Sequence, residues 1–175
     1  MLVTGEAGLQ AGFADARAGL ADLRRAGWLL NASQEAYAVG TSLASGPPGS
    51  VWRLSRLVAV HARDQAARDD SARLALRWEA IGPAGEPFPA LNADITLTPA
   101  GDHATTLALV GVYRPPPGNH GNADDQATTR RAATATIQAF LGRIATAISV
   151  PALVDERDDG LTGERGFGPP ANPAL

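Results

Sequence analysis

The chain has 175 residues, 45% of them hydrophobic, and a formal net charge of −3. That length supports one substantial core, and the composition suits a globular protein. With no cysteine, disulfides, thiolate zinc sites and a cysteine nucleophile are excluded; mild acidity and few aromatics argue against nucleic acid as a partner.

All 15 basic residues are arginine. Together with abundant alanine and glycine, this reads as a GC-rich coding bias, so arginine number by itself carries little weight. The N-terminal stretch MLVTGEAGLQ contains an acid and no basic n-region, so it does not read as a secretory signal. No apolar run reaches the length of a membrane span, and the expected location is cytoplasmic.

Met1–Thr4 is short and apolar, a candidate first strand. Phe13 to Ala26 reads as a helix with Phe13, Ala16, Leu20 and Leu23 on one face and Asp15, Arg17, Asp22, Arg24 and Arg25 opposite. Gly27 ends it. A second helix is expected from Ala32 to Ala44, capped by Asn31 or Ser33, with Ala36, Tyr37, Gly40 and Leu43 as its buried stripe. The competing reading is a strand from Trp28 to Val39. Gly46-Pro47-Pro48-Gly49 breaks the chain under either reading.

Val51–Arg63 reads as a long strand. Its even face holds Trp52, Leu54, Arg56, Val58 and Val60. Its odd face holds Arg53, Ser55, His61 and Arg63 with Leu57 and Ala59. The even face is the more apolar and is expected to face the core. Asp64–Asp70 then turns the chain into an antiparallel meander of three runs: Arg73–Ile81, Ala93–Thr98 and Thr105–Arg114. In the first, Leu74, Leu76, Trp78 and Ala80 share one face and Arg77 and Glu79 the other. The last is apolar on both faces, which predicts a central strand or one covered on both sides.

The prolines at 115–117 stop the sheet. Asn122 is placed to cap a long helix reaching Ile148, with Ile137, Phe140, Leu141 and Ile144 at helical spacing. Residues 1–150 are expected to form one domain, and 151–175, charged and then Gly/Pro-rich, a flexible tail. The apolar faces of sheet and helix must bury one another, so the expected class is α+β: a twisted antiparallel sheet on a long C-terminal helix, with two short helices near the N-terminus.

The order of elements resembles the helix-grip fold of the START-related superfamily, SRPBCC, which includes lipid-transfer domains, pollen-allergen-like proteins and polyketide cyclases. The stretches SRLVAV (Ser55–Val60), LRWEAIGPAG (Leu76–Gly85), FPALNADITLTPAG (Phe88–Gly101) and GVYRPPPGNHG (Gly111–Gly121) are similar to those of uncharacterised bacterial members. The similarity runs from about Ser50 to Ile148 and is weaker in the N-terminal third, where the usual first strand is not evident. It implies a shorter sheet or a differently completed edge. It also implies a small hydrophobic or amphipathic ligand held between sheet and long helix.

The pocket expected there is lined by Leu54, Val58, Leu76, Trp78, Leu97, Leu109, Tyr113 and Phe140. Arg56, in register with the apolar face, is its candidate anchor for an acidic ligand group; the bland alternative is an arginine that pairs or snorkels at the sheet edge. Tyr113 supplies a hydroxyl, although plain core packing explains an aromatic there equally well. Arg77 and Glu79 read as a solvated cross-strand pair.

His61, His103 and His120 lack metal-ligand spacing, so no metal and no cofactor is implied. No GxSxG elbow supports a serine triad. A binding or carrier protein is therefore the leading expectation. A cyclase- or aromatase-like enzyme and an interaction module with a filled core are the alternatives. Ligand identity and oligomeric state are not legible in the sequence.

Overall fold

The structure, a computed structural model, describes residues 1–43, 56–65, 70–82, 84–85, 87–114 and 123–149. These form β1 (Leu2–Leu9), α1 (Phe13–Arg25), α2 (Trp28–Leu43), β2 (Arg56–Asp64), β3 (Ala72–Ile81), β4 (Pro87–Pro99), β5 (Thr105–Tyr113) and α3 (Ala123–Ser149). The strands build one antiparallel sheet in the order β1-β5-β4-β3-β2. With the helices gathered on one face, the architecture is the expected helix-grip-like α+β arrangement. The Gly46–Gly49 break, the Asn122 cap, the 115–117 prolines and the 151–175 tail lie outside the described residues.

The sheet has its first strand after all. Leu2 to Leu9 pairs along its whole length with β5, from Leu2↔Val112 to Leu9↔Thr105. Two glycines and short side chains hid it, because β propensity is low where a strand is required to pack closely. Gly5 explains the composition: a Cβ there would stand 2.8 Å from Ile137 Cγ2 and 2.9 Å from Leu141 Cδ1. The strand backbone therefore rests directly on the side chains of the long helix, and a larger residue at Gly5 would require Ile137 and Leu141 to shift.

Helix α1 matches its expected span. Ala16 and Leu20 are buried and Phe13 and Leu23 half-buried, and Gly27, with φ +69°, follows its end. Helix α2 starts at Trp28, earlier than expected, so Asn31 and Ser33 lie inside it and do not cap it. The strand alternative for this segment is excluded. Ala36, Tyr37 and Gly40 are buried as expected, whereas Leu43 is 58% exposed. Gly40 lets α2 approach α3; a Cβ there would meet Thr136 Oγ1 at 1.8 Å and the Ala132 carbonyl oxygen at 2.9 Å.

In α3 the stripe Ile137, Phe140, Leu141 and Ile144 is fully buried. Each such side chain contributes about 1.5–3 kcal/mol through burial. From the sheet, Leu74, Leu76, Trp78, Leu97, Leu107 and Leu109 join the same core.

One facing expectation is overturned. The register of β2 on β3 shifts between Leu57 and Ala59, so Leu57 opposes Ala80 and Ala59 opposes Glu79. The extra residue at this bulge, Val58, is 48% exposed. A bulge inverts the alternation, so Leu57 is buried before it and Val60 packs against the core after it. Arg56, one residue before Leu57, is consequently exposed. Strand β5 lies inside the sheet, between β1 and β4, as one of its two alternatives expected; the other, cover on both sides, does not hold, since Val110 and Val112 are 53% and 44% exposed on the outer face.

Candidate functional site

Of the residues expected to line a pocket between sheet and long helix, the structure brings six together. Leu76, Trp78, Leu97, Leu109, Tyr113 and Phe140 are each at most 2% exposed and belong to one core. Trp78 meets Phe140 edge to face, with ring centroids 5.3 Å apart and planes at 86°. This junction is packed side chain to side chain. Arg56 and Val58 point away from it for the reason given above, and Leu54 lies outside the described residues. The arginine anchor is therefore withdrawn.

The polar groups of this interior are neutral. The Tyr113 hydroxyl shares a hydrogen bond with Tyr37 of α2, and burial first, then Tyr37, pushes the Tyr113 pKa well above its ordinary value of 10.0. Trp78 Nε1 and Ser33 Oγ are buried and have no hydrogen-bond partner among the described residues. An unmet group of this kind costs about 1–3 kcal/mol.

An open cleft of about 680 Å³ lies instead between α1 and the sheet. Its helical wall is Phe13, Ala14, Arg17, Ala18, Leu20 and Ala21. The opposite wall comes from the end of β2 (Asp64, with Gln65 beside it), the start of β3 (Ala72, Arg73, Leu74) and Leu97 of β4. Why the gap exists is read from side-chain size. At the positions where α1 turns toward the strands it carries three alanines, too short to span the space between a helix and a sheet. An ion pair closes one side: Arg24 Nη2 lies 2.7 Å from Asp64 Oδ2. Gly19 rests α1 on α3, where a Cβ would find Ile148 Cγ1 at 3.3 Å.

The floor of this cleft is apolar and its rim charged. Leu74 and Leu97 from the core cluster and Leu20 of α1 are buried, with Phe13 half-buried beside them. The rim carries Arg17 and Asp64; Arg73 borders it from β3 on a position whose side chain alternates to the outer face. Such a site can hold the apolar body of a small molecule while a polar end stays at the water boundary. Leu97 is the one expected site residue that this cleft retains. Sequence reasoning missed Ala14, Ala18 and Ala21 because it assigned Arg17 to a solvated face. The available signal was the run of small residues Ala14, Ala18 and Ala21 flanking the apolar stripe of α1.

A second depression, about 830 Å³, runs over the outer face of the sheet. The strand registers place Leu2, Val112, Asn92, Arg77 and His61 in one row across it, and Thr4, Val110, Asp94, Ala75 and Arg63 in the next. One half is apolar and the other charged. Arg77 Nε donates to Glu79 Oε1 at 3.1 Å, His61 Nε2 is 3.7 Å from Glu79 Oε2, and Gln65 Nε2 donates to Asp94 Oδ1 at 3.1 Å. Arg77 and Glu79 are thus a solvated surface pair as expected, formed along β3 and not across two strands.

No family model and no curated protein matches the chain. Among solved structures, similar folds include a conserved protein from Geobacillus kaustophilus, 12% identical, with 84% of this chain and 97% of that one covered and a TM-score of 0.39. The protein TTHA0849 from Thermus thermophilus is 12% identical over 84% of this chain and 99% of its own, with a TM-score of 0.34. The Zhui aromatase/cyclase from a Streptomyces species is 13% identical over 82% of this chain and 93% of its own, with a TM-score of 0.29. No helix among the described residues is long and apolar enough to cross a membrane.

Proposed function

We propose that the protein binds or carries a small hydrophobic or amphipathic molecule, and that it belongs to the SRPBCC superfamily that its sequence stretches resemble. We place the site in the cleft under α1. The observation that supports this is the cleft's own make-up: about 680 Å³ open to solvent, with Leu74 and Leu97 of the core as its floor. A ligand there buries apolar surface without displacing packed core side chains. The cyclase-like alternative needs a free acid or base against the substrate. Among the described residues the carboxylate at this cleft, Asp64, is already paired with Arg24, and Tyr113 is buried elsewhere with Tyr37.

The test is binding of the neutral fluorophore N-phenyl-1-naphthylamine, whose emission rises in apolar surroundings. The wild-type protein should bind it saturably, and Ala18→Trp, which puts an indole into the cleft, should weaken binding at least about tenfold, the equivalent of roughly 1.4 kcal/mol. No saturable binding, or binding unchanged by Ala18→Trp, refutes the site.

A further inference from the structure

We infer that the ligand of the cleft under α1 is an amphipathic anion whose acidic end is held by Arg17. This rests on the proposed binding role and adds the chemical class of the ligand. Helix α1 carries three arginines, and they differ in one respect. Arg24 is paired with Asp64, at 2.7 Å, and Arg25 with Asp22 of the same helix. Arg17 has no ion-pair partner among the described residues, and it is the one that lines the cleft.

Position explains what Arg17 can reach. It lies one turn after Phe13 and one turn before Leu20 and Ala21, so its stem runs along the same wall as the apolar floor. A long arginine side chain covers apolar surface with its methylenes and keeps its guanidinium in water. Arg17 is exposed, as this arrangement requires.

Charge points the same way. Arg24 already neutralises Asp64, the carboxylate among the described lining residues, which leaves Arg17 as the charged side chain of α1 at the cleft. The cleft is therefore locally positive in a chain of net charge −3. A neutral ligand gains only burial there. A carboxylate gains a charge-assisted, two-pronged hydrogen bond from the guanidinium as well, and a cation is repelled. Because the guanidinium is solvent-exposed, salt must weaken this preference.

The experiment compares dodecanoate, dodecanol and dodecyltrimethylammonium, each below its micellar concentration, by calorimetric titration of the full chain. Wild type should bind dodecanoate about tenfold more tightly than dodecanol, and the ammonium compound most weakly. Raising the salt from about 20 mM to about 500 mM should shrink that preference several-fold. Arg17→Gln should abolish the preference while retaining dodecanol binding. Arg17→Lys should keep part of it, and Arg25→Gln, outside the cleft, should keep all of it. Arg17 is an exposed helical residue, so an unchanged melting temperature will verify that Arg17→Gln is folded. Equal affinity for acid and alcohol, or a preference that survives Arg17→Gln, overturns the inference and leaves the binding role standing. No binding of any of the three overturns the inference, and the binding role falls with it only if the fluorophore also fails to bind.

Discussion

Helices α3 and α1 face the same inner side of the sheet, yet α3 seals against it and α1 leaves a cleft. The difference lies in the volume of the side chains each helix carries. Helix α3 presents Ile137, Phe140, Leu141 and Ile144, and the sheet answers with Gly5 where the approach is closest. Helix α1 presents Ala14, Ala18 and Ala21 to Leu74 and Leu97. Close packing requires that facing side chains together span the interaxial space. The α3 interface meets that condition and carries stability. The α1 interface does not, and the unfilled space is where a ligand can contribute contacts that the protein lacks.

The sharpest way to break this contrast is Phe140→Ala. It removes a fully buried ring and the edge contact to Trp78. The expected loss is about 3–5 kcal/mol, read from the denaturation midpoint; a shift below about 1 kcal/mol would show that α3 does not seal the core.

A smaller effect is expected at the α2 end of the same interior. Tyr113→Phe removes the hydrogen bond with Tyr37 and should cost about 1 kcal/mol at neutral pH. The folded pKa of Tyr113 is raised, so the folded state keeps its proton at pH values where the unfolded chain has lost it. Its contribution is whole below about pH 10 and declines above it, by up to about 1.4 kcal/mol per pH unit. Tyr113→Phe should lack that share of the alkaline loss. Identical alkaline profiles in the two proteins would contradict the buried placement of the hydroxyl.

The smallest effect belongs to the cleft. Ala18→Trp should change stability by less than about 1 kcal/mol, since Ala18 is exposed and the helix-propensity difference is at most about 0.7 kcal/mol. A several-kilocalorie change in either direction would mean that α1 is packed as tightly as α3.

Much of the fold is legible in the sequence wherever large apolar residues repeat at a clear period. The stripe of α3 and the face Leu74, Leu76, Trp78 and Ala80 of β3 are both recovered. Strand β1 was illegible beyond Thr4 because Gly5 answers to Ile137 and Leu141, neighbours far away along the chain. The candidate site was less legible still. Arg56 shares a face with Val60 only while the strand alternates without interruption. One inserted residue at Val58 puts Arg56 on the face opposite to Val60, and nothing in RLVAV marks that insertion.

Composition and periods of two and 3.6 residues within a segment were enough for the class of fold, the main core stripe and the exclusion of cysteine chemistry, because each of these is a local property of the chain. Which arginine borders a cavity, which face of β2 is inside and where the interior stays open came only with the assembled fold. Those depend on register shifts and on the summed size of side chains from segments far apart. Arg17 at a cleft wall and Arg56 in solvent are the result.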